Sequence, residues 1–203
     1  MTAAKAYHHG DLRDALVRAA LEILEDSTVT EVSVRAAARR AGVSTGAPYR
    51  HFADRDALLS AVAAVGYREL AGALVAAHPA PKTADDLADI AVAYVQFALT
   101  RPGLFRVMFA EGCDRTDPDR VAAVAAITEY VKAIAQQVVP TVDSEPLTTA
   151  MWALVHGLAF LHMDGKFDSS STADVAHRVR TAVSAIVALR ITEAAANQDS
   201  TRH

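Results

Sequence analysis

The sequence has one cysteine and few aromatic side chains, and both shortages limit what the protein can be. Cys113 has no second cysteine to pair with, so neither an internal disulfide nor a thiolate zinc cluster can form. Aromatic residues make up 6% of the 203 residues although 52% are hydrophobic, because alanine supplies much of the hydrophobic fraction. Alanine has the highest helix propensity and little preference for strands. The composition therefore predicts an all-α protein.

Long apolar runs are also missing. A membrane-spanning helix needs about 20 consecutive apolar residues. The longest stretch that we identify, from Leu147 to Leu161, is interrupted by two threonines, a histidine and a glycine. The first residues of the chain lack the apolar segment of a secretory signal. We therefore predict a cytoplasmic protein with no membrane partner.

Motifs of common enzyme classes are absent as well. The sequence has no Glu-x-x-His pair and no glycine-rich phosphate loop. His156 and His162 are six residues apart, so on a helix they point to different faces and do not converge on a metal ion. The sequence predicts no catalytic residues, no metal ligands and no cofactor, and we expect that the protein is not an enzyme.

Positive charge is scarce overall but locally concentrated. The formal net charge is −4, yet residues 33–55 contain five arginines against one aspartate, a local charge of +4 that leaves −8 on the rest of the chain. A compact basic patch on an acidic body suits local binding to the phosphates of a nucleic acid. The same arginines can also form only a solvated helix face. Charge alone therefore leaves nucleic-acid binding open.

Apolar residues recur at helical spacing in the first predicted helix, residues 11–26. Ser33 predicts an N-cap for a short second helix, residues 34–40, and Gly42 predicts a left-handed turn after it. Ser44 is placed to cap a third helix that runs to Phe52. Two short helices joined by a turn that contains glycine form a helix-turn-helix.

The rest of the sequence predicts further helices. A long connector helix begins at Asp54 and ends near residue 78, before Pro79 and Pro81. Capping residues and prolines then predict five more helices, at 83–100, 104–111, 118–139, 144–164 and 173–195. Residues 197–203 are predicted to be a frayed tail.

Residues 33–59 carry a specific pattern, with Ala-Gly-Val-Ser at 41–44, Tyr-x-His-Phe at 49–52 and a basic residue before the Leu-Leu pair at 58–59. This pattern resembles the DNA-binding domain of TetR/AcrR (tetracycline-repressor-like) transcriptional regulators. The segments 7–13 and 102–109 and the Trp-x-x-x-His-Gly at 152–157 resemble a subgroup with a WHG-type C-terminal domain. The resemblance implies a three-helix, homeodomain-like DNA-binding domain over residues 1–55. It also implies a connector helix that leads into a helical ligand-binding and dimerisation domain over residues 56–203.

The turn and the third helix supply most of the predicted DNA contacts. Hydroxyls near a helix N-terminus favour phosphate, and an arginine can pair bidentately with guanine, which makes Arg50 the best candidate for reading a base edge. The predicted DNA-binding residues are Ser33, Arg35, Ser44, Thr45, Ala47, Pro48, Tyr49, Arg50, His51 and Arg55.

The aromatic pair in the third helix is expected to divide between core and surface. Phe52 is expected in the core, whereas Tyr49 fits either the core or a phosphate contact. Lys5, His8 and His9 are candidates for an N-terminal arm on the DNA.

Aromatic side chains outside the basic segment predict an apolar effector pocket. The predicted ligand-binding residues are Tyr94, Phe97, Phe105, Met108, Phe109, Tyr130, Trp152, His156 and Phe160. Among them His156 is the notable polar candidate, although a buried histidine bonded to a backbone carbonyl is the simpler interpretation. We expect a mostly apolar, aromatic small molecule as the effector.

The resemblance also implies a homodimer in which the last two helices form a four-helix bundle with those of the partner. Apolar stripes on these two predicted helices permit this, although both stripes can instead face the core of one protomer. The stripes consist of Met151, Trp152, Val155, Leu158 and Ala159, and of Val175, Val179, Val183, Ile186 and Val187. The function implied by the resemblance is a ligand-responsive repressor that a small molecule releases from a palindromic operator on double-stranded DNA. An activator of the same fold and a helical adaptor with no DNA role are the alternatives.

Overall fold

The computed structural model describes residues 9–44, 46–109, 112–140 and 144–200. Over these ranges the chain forms α-helices, short turns and loops, and no strand is present. The helices are α1 (His9–Asp26), α2 (Val34–Arg40), α3 (Arg55–Ala77), α4 (Ala84–Thr100), α5 (Pro102–Phe109), α6 (Pro118–Val138), α7 (Ser144–Met163) and α8 (Thr172–Ser200). Two 3₁₀ turns lie at Val29–Glu31 and Pro48–Arg50. The all-α prediction is confirmed.

Side-chain caps explain why several helices begin where the sequence predicts. The Ser33 hydroxyl accepts a hydrogen bond from Ala36 N at 3.1 Å and caps α2. Thr83 and Asp86 form a reciprocal capping box at the start of α4. Asp117 Oδ1 accepts from Arg120 N at 2.9 Å, directly before the proline that opens α6. These three predicted starts are confirmed to within a residue.

Two predicted helix bounds are wrong. The segment predicted as 104–111 begins earlier as α5, because Pro102 suits the first turn of a helix, and residues 110–111 lie outside the described residues. The last helix continues to Ser200, so the tail predicted to fray from residue 197 is helical over that stretch. Alanines at 194–196 favour continuation of the helix, and no glycine or proline follows to end it.

One compact unit comprises residues 1–67 and 103–123. In it α1 packs against α2, and Leu16, Leu58 and Phe105 are fully buried. Two glycines mark close approaches of α5 to its neighbours. A Cβ on Gly66 of α3 would lie 2.6 Å from Met108 Sδ, and a Cβ on Gly103 would lie 2.8 Å from the carbonyl oxygen of Leu24 in α1. A side chain at position 103 would press on helix backbone, whereas one at position 66 would force the buried Met108 side chain to shift.

The second compact unit comprises residues 68–102 and 124–203. In it α4 packs against α7 and α8, which also pack on each other. An ion pair between Asp89 and Arg180 joins α4 to α8. The predicted domain boundary after residue 55 remains a prediction.

The valine stripe on α8, which was predicted to reach a dimer partner, is buried inside the protomer. Val175, Val179, Val183 and Val187 are at most 3% exposed, because α8 packs on α4 and α7 of its own chain. Its prediction as an intersubunit surface is therefore wrong. In α7 the stripe is divided, since Val155, Leu158 and Ala159 are buried whereas Trp152 is 54% exposed.

One helix of the described residues, α3, is long and apolar enough to cross a membrane by length and composition alone. It differs from the stretch in α7 that the sequence analysis singled out. The apolar window of α3 is 61% buried inside the protein, as is usual for the core helix of a soluble protein. This match is therefore weak evidence for a membrane segment.

Candidate nucleic-acid interface and effector site

Some arginines of α2 are exposed, and another is paired with acidic residues. Arg35 and Arg39 are exposed. Arg40 donates to Asp26 at 2.8 Å and lies 3.5 Å from Glu22, and the hydrogen bond to Asp26 raises the pKa of the Arg40 guanidinium. The ion pairs tie the end of α2 to the end of α1, so part of the positive charge of this segment is balanced within the protein.

The described part of the segment predicted as a third helix, residues 46–52, contains a 3₁₀ turn at Pro48–Arg50 rather than an α-helix. Ala47 N donates to Ser44 O at 3.3 Å and Arg50 N to Ala47 O at 3.3 Å, both with the i to i+3 spacing of a 3₁₀ helix. Pro48 has no N–H for the oxygen four residues before it, and Gly46 has low helix propensity. These two residues explain why the predicted α-helix is wrong here.

The 3₁₀ turn nevertheless separates a surface from a core face. Tyr49 is 45% exposed and Arg50 is exposed, whereas Pro48 is buried and Phe52 is 2% exposed. The core position predicted for Phe52 is confirmed, and Tyr49 belongs to the surface. We call this segment, residues 46–52, the reading turn.

Other predicted DNA-binding residues flank the reading turn. Ser44 is exposed, and Ala47 and His51 are half-buried. Thr45, Lys5 and His8 lie outside the described residues, as does the side chain of His9.

Two arginines support the reading turn from neighbouring helices. The Arg13 guanidinium of α1 lies over the Phe52 ring, 5.5 Å from its centroid, and also binds Asp119 at 3.0 Å. The Arg55 guanidinium donates to the carbonyl oxygens of Val32 and Val29 at 3.0 and 2.9 Å. These contacts are not predictable from the sequence, because each joins residues far apart in the chain.

Three of the predicted effector residues belong to the first unit. Phe105 is fully buried, Met108 is 2% exposed, and the rings of Phe105 and Phe109 lie 4.7 Å apart between centroids. Tyr67, which the sequence analysis missed, meets Phe109 edge to face at 5.4 Å and donates its hydroxyl to Met108 O at 2.9 Å. Burial raises the pKa of Tyr67, so this phenol is a neutral donor near neutral pH.

The other six predicted effector residues belong to the second unit, which brings four of them together. The hydroxyl of Tyr94 and Nδ1 of His156 are 3.0 Å apart and share a hydrogen bond. His156 also lies between the rings of Trp152 and Phe160, at 6.0 and 4.9 Å between centroids. His156 thus shares a hydrogen bond with a phenol of α4, and the backbone carbonyl partner expected from the sequence stays a prediction.

Burial lowers the pKa of His156, so its imidazole is neutral near pH 7. Phe97 is buried, and the hydroxyl of Tyr130 is buried with no hydrogen-bond partner in the part of the chain that the structure describes. Four of these six residues therefore form an aromatic cluster in which the Tyr94 hydroxyl meets a neutral His156.

An open groove of about 290 Å³ lies elsewhere, between α1 and α2. Its lining is mostly polar and includes Ile23, Ser27, Glu31, Ala36, Arg39 and Arg40. None of the predicted effector residues lines it, and an exposed polar groove lacks the apolar walls of a ligand pocket. Within the described ranges, no group of three histidine, cysteine or acidic side chains is placed to hold a metal ion.

Two family models match the chain. The model described as "Bacterial regulatory proteins, tetR family" matches residues 16–62, and "Tetracyclin repressor-like, C-terminal domain" matches residues 87–186. The first match contains α2 and the reading turn, and the second contains the Tyr94–His156 pair. No curated protein matches the chain.

Solved structures from several bacteria are similar over most of the chain. A protein of unknown function from Rhodococcus sp. RHA1 is 32% identical with a TM-score of 0.72, and the match covers 89% of this chain and 97% of that one. A regulatory protein of the tetR family from Rhodococcus RHA1 is 21% identical, with a TM-score of 0.64 and coverages of 86% and 96%. A TetR/AcrR-family transcriptional regulator from Thermobifida fusca is 16% identical, with a TM-score of 0.63 and coverages of 85% and 96%.

Proposed function

Since this chain belongs to the tetracycline-repressor (TetR) family of bacterial regulatory proteins, we propose that it is a homodimeric repressor that responds to a small molecule. As a member of that family it is a DNA-binding transcriptional regulator and not an enzyme. The observation that carries the proposal is the reading turn, in which Tyr49 and Arg50 are exposed while Phe52 anchors the same segment in the core. Members of this family are soluble, and we place the protein in the cytoplasm.

The DNA contacts that we propose are those predicted from the sequence, except Arg55, whose guanidinium donates to two backbone carbonyls of the protein. Arg50 is proposed to reach a base edge and Tyr49 a phosphate, because both are exposed on one short turn. Arg35 and Ser44 are also exposed and are proposed to bind the DNA backbone. The buried side chain of Pro48 supports the turn and is proposed to contact DNA only through its backbone.

The homodimer is proposed to form through faces of α7 and α8 that the protomer leaves uncovered. Ala153, Gly157 and Leu161 follow one another at i, i+4 and i+8 on α7 and are all exposed. Leu189 of α8 is 66% exposed, and Trp152 is 54% exposed. Small residues allow two helices to approach closely, and large exposed apolar side chains favour burial by a second copy.

Substitution of Leu189 tests this interface. Leu189→Glu would place a charge in an apolar contact, so we expect analytical ultracentrifugation to show a monomer where the unsubstituted protein is a dimer. Val75→Glu is the matched control, because Val75 of α3 is 43% exposed and belongs to neither face. A Leu189→Glu protein that remains dimeric would place the interface elsewhere.

The effector is proposed to be a mostly apolar, aromatic molecule bound by the predicted residues of the second unit. The Tyr94–His156 hydrogen bond and the rings of Trp152 and Phe160 support this choice in the second unit. Binding is proposed to favour a conformer in which α3 tilts, since this helix contributes residues to both units. The two reading turns of the dimer then no longer match a spacing of about 34 Å, one turn of DNA, and operator affinity falls.

A compound screen followed by DNA binding tests the response. Compounds that raise the melting temperature are identified from a library of aromatic and aliphatic metabolites. Each is then titrated into a mobility-shift assay with a duplex that the protein has selected from a random-sequence pool. Release of the duplex is the expected result, and His156→Ala should weaken it without changing affinity in the absence of compound. Stabilising compounds that leave duplex affinity unchanged would refute the release model, and tighter binding would favour ligand-promoted DNA binding instead.

A further inference from the structure

Arg55 lies in the first turn of α3, and its guanidinium reaches back to the segment that precedes α2. Its Nε donates to the carbonyl oxygen of Val32 at 3.0 Å, and its Nη2 donates to that of Val29 at 2.9 Å. The side chains of Val29 and Val32 are buried, at 7% and 0% exposed, so the accepting segment is itself packed in the core. The planar guanidinium holds its donors at a fixed spacing, which suits two acceptors at once.

Both ends of this link are fixed by other hydrogen bonds. Asp54 Oδ1 accepts from Ala57 N at 2.9 Å and caps α3, which fixes the backbone that carries Arg55. Val32 directly precedes Ser33, the residue that caps α2. Arg55 therefore connects the start of α3 to the start of α2. The reading turn lies in the chain between these two helices, so its position depends on how they are oriented.

We propose that Arg55 is a positioning residue for DNA binding, whose two hydrogen bonds hold α2 and α3 in the orientation that presents the reading turn. This role replaces the contact with the DNA backbone that was predicted from its charge, and it rests on the DNA-binding function described above. Lysine carries the same charge but has a single ammonium group, which cannot supply two donors at fixed spacing. Arg55→Lys therefore separates the positioning role from the charge.

The experiment compares Arg55→Lys with Arg68→Lys, a matched change at an exposed arginine farther along α3. The DNA probe is a duplex selected by the unsubstituted protein from a random-sequence pool, titrated at several salt concentrations. We expect Arg55→Lys to weaken binding about tenfold while the slope of log affinity against log salt stays unchanged, because the charge is retained. We also expect the melting temperature without DNA to fall by about 4 °C. Arg68→Lys should change neither quantity.

Two results would overturn the positioning role. One is an Arg55→Lys protein that binds the duplex as tightly as the unsubstituted protein. The other is weaker binding with an unchanged melting temperature, because Arg55 would then act on the DNA directly. If the unsubstituted protein binds no duplex at low salt, the proposed function fails with this role, whereas the melting temperature of Arg55→Lys still tests the two internal hydrogen bonds.

Discussion

Gly103 is predicted to accept no larger side chain, because α5 meets the backbone of α1 at this residue. A Cβ added there would lie 2.8 Å from the carbonyl oxygen of Leu24 and 3.4 Å from its Cβ. The carbonyl belongs to a helix, so it cannot move away unless the last turns of α1 move with it. Gly103→Ala must therefore strain this contact or displace α5, which carries three predicted effector residues.

The size of the effect follows from two opposing contributions. Overpacking of a tight contact costs about 1–3 kcal/mol. Replacement of glycine by alanine stabilises a helix by up to about 1 kcal/mol, and by less within the first turn. We expect a net loss of about 1–2 kcal/mol, which lowers the melting temperature by about 2–8 °C for a chain of this length.

Calorimetric melting of Gly103→Ala beside Gly72→Ala measures this loss. A Cβ on Gly72, in the middle of α3, meets no atom within 4 Å. Gly72→Ala should therefore raise stability by up to about 1 kcal/mol. If Gly103→Ala melts at or above the temperature of the unsubstituted protein, the close approach of α5 to α1 is refuted.

Two further predictions concern pH and helix capping. Burial lowers the pKa of His156 in the folded protein below 6.5, its value in the unfolded chain. Between these two pKa values the unfolded chain binds more protons than the folded protein, so the free energy of unfolding falls as pH decreases through this window. The urea midpoint should therefore fall less between about pH 7.5 and about pH 5.5 in His156→Gln than in the unsubstituted protein. If the midpoints of both proteins fall equally, the pH dependence belongs to other groups. Ser33→Ala removes the hydroxyl that accepts from Ala36 N, and urea unfolding without DNA should show a loss of about 1 kcal/mol that Ser33→Asn largely restores. Equal stability of Ser33→Ala and the unsubstituted protein would contradict the capping role.

Local signals account for the parts of the fold that the sequence predicted well. The capping box of Thr83 and Asp86 and the proline at 118 act within one helical turn, so their effect is visible in a short window of sequence. At the reading turn, a local signal gave a wrong prediction. Ser44 predicts the N-cap of an α-helix, but Gly46 and Pro48 disfavour a continuous α-helix. The competing local preferences there could not be ranked from the sequence alone.

Contacts between distant residues account for what the sequence could not predict. An apolar stripe such as Val175 to Val187 has the same spacing whether it faces its own protomer or a partner, so its burial had to be seen in the structure. The hydrogen bond between Tyr94 and His156 joins residues 62 positions apart. Arg55 was predicted as a DNA contact from its charge, and its two backbone partners lie 23 and 26 residues away.

The central claim is that a twofold dimer presents two reading turns to successive turns of duplex DNA. Hydroxyl-radical footprinting on the selected duplex tests it directly, with the number of bound chains measured by sedimentation on the same complex. We expect two protected segments related by twofold symmetry, with centres about 34 Å apart and two chains bound as one dimer. A single protected segment with one chain bound, or no protection at low salt, would contradict the account.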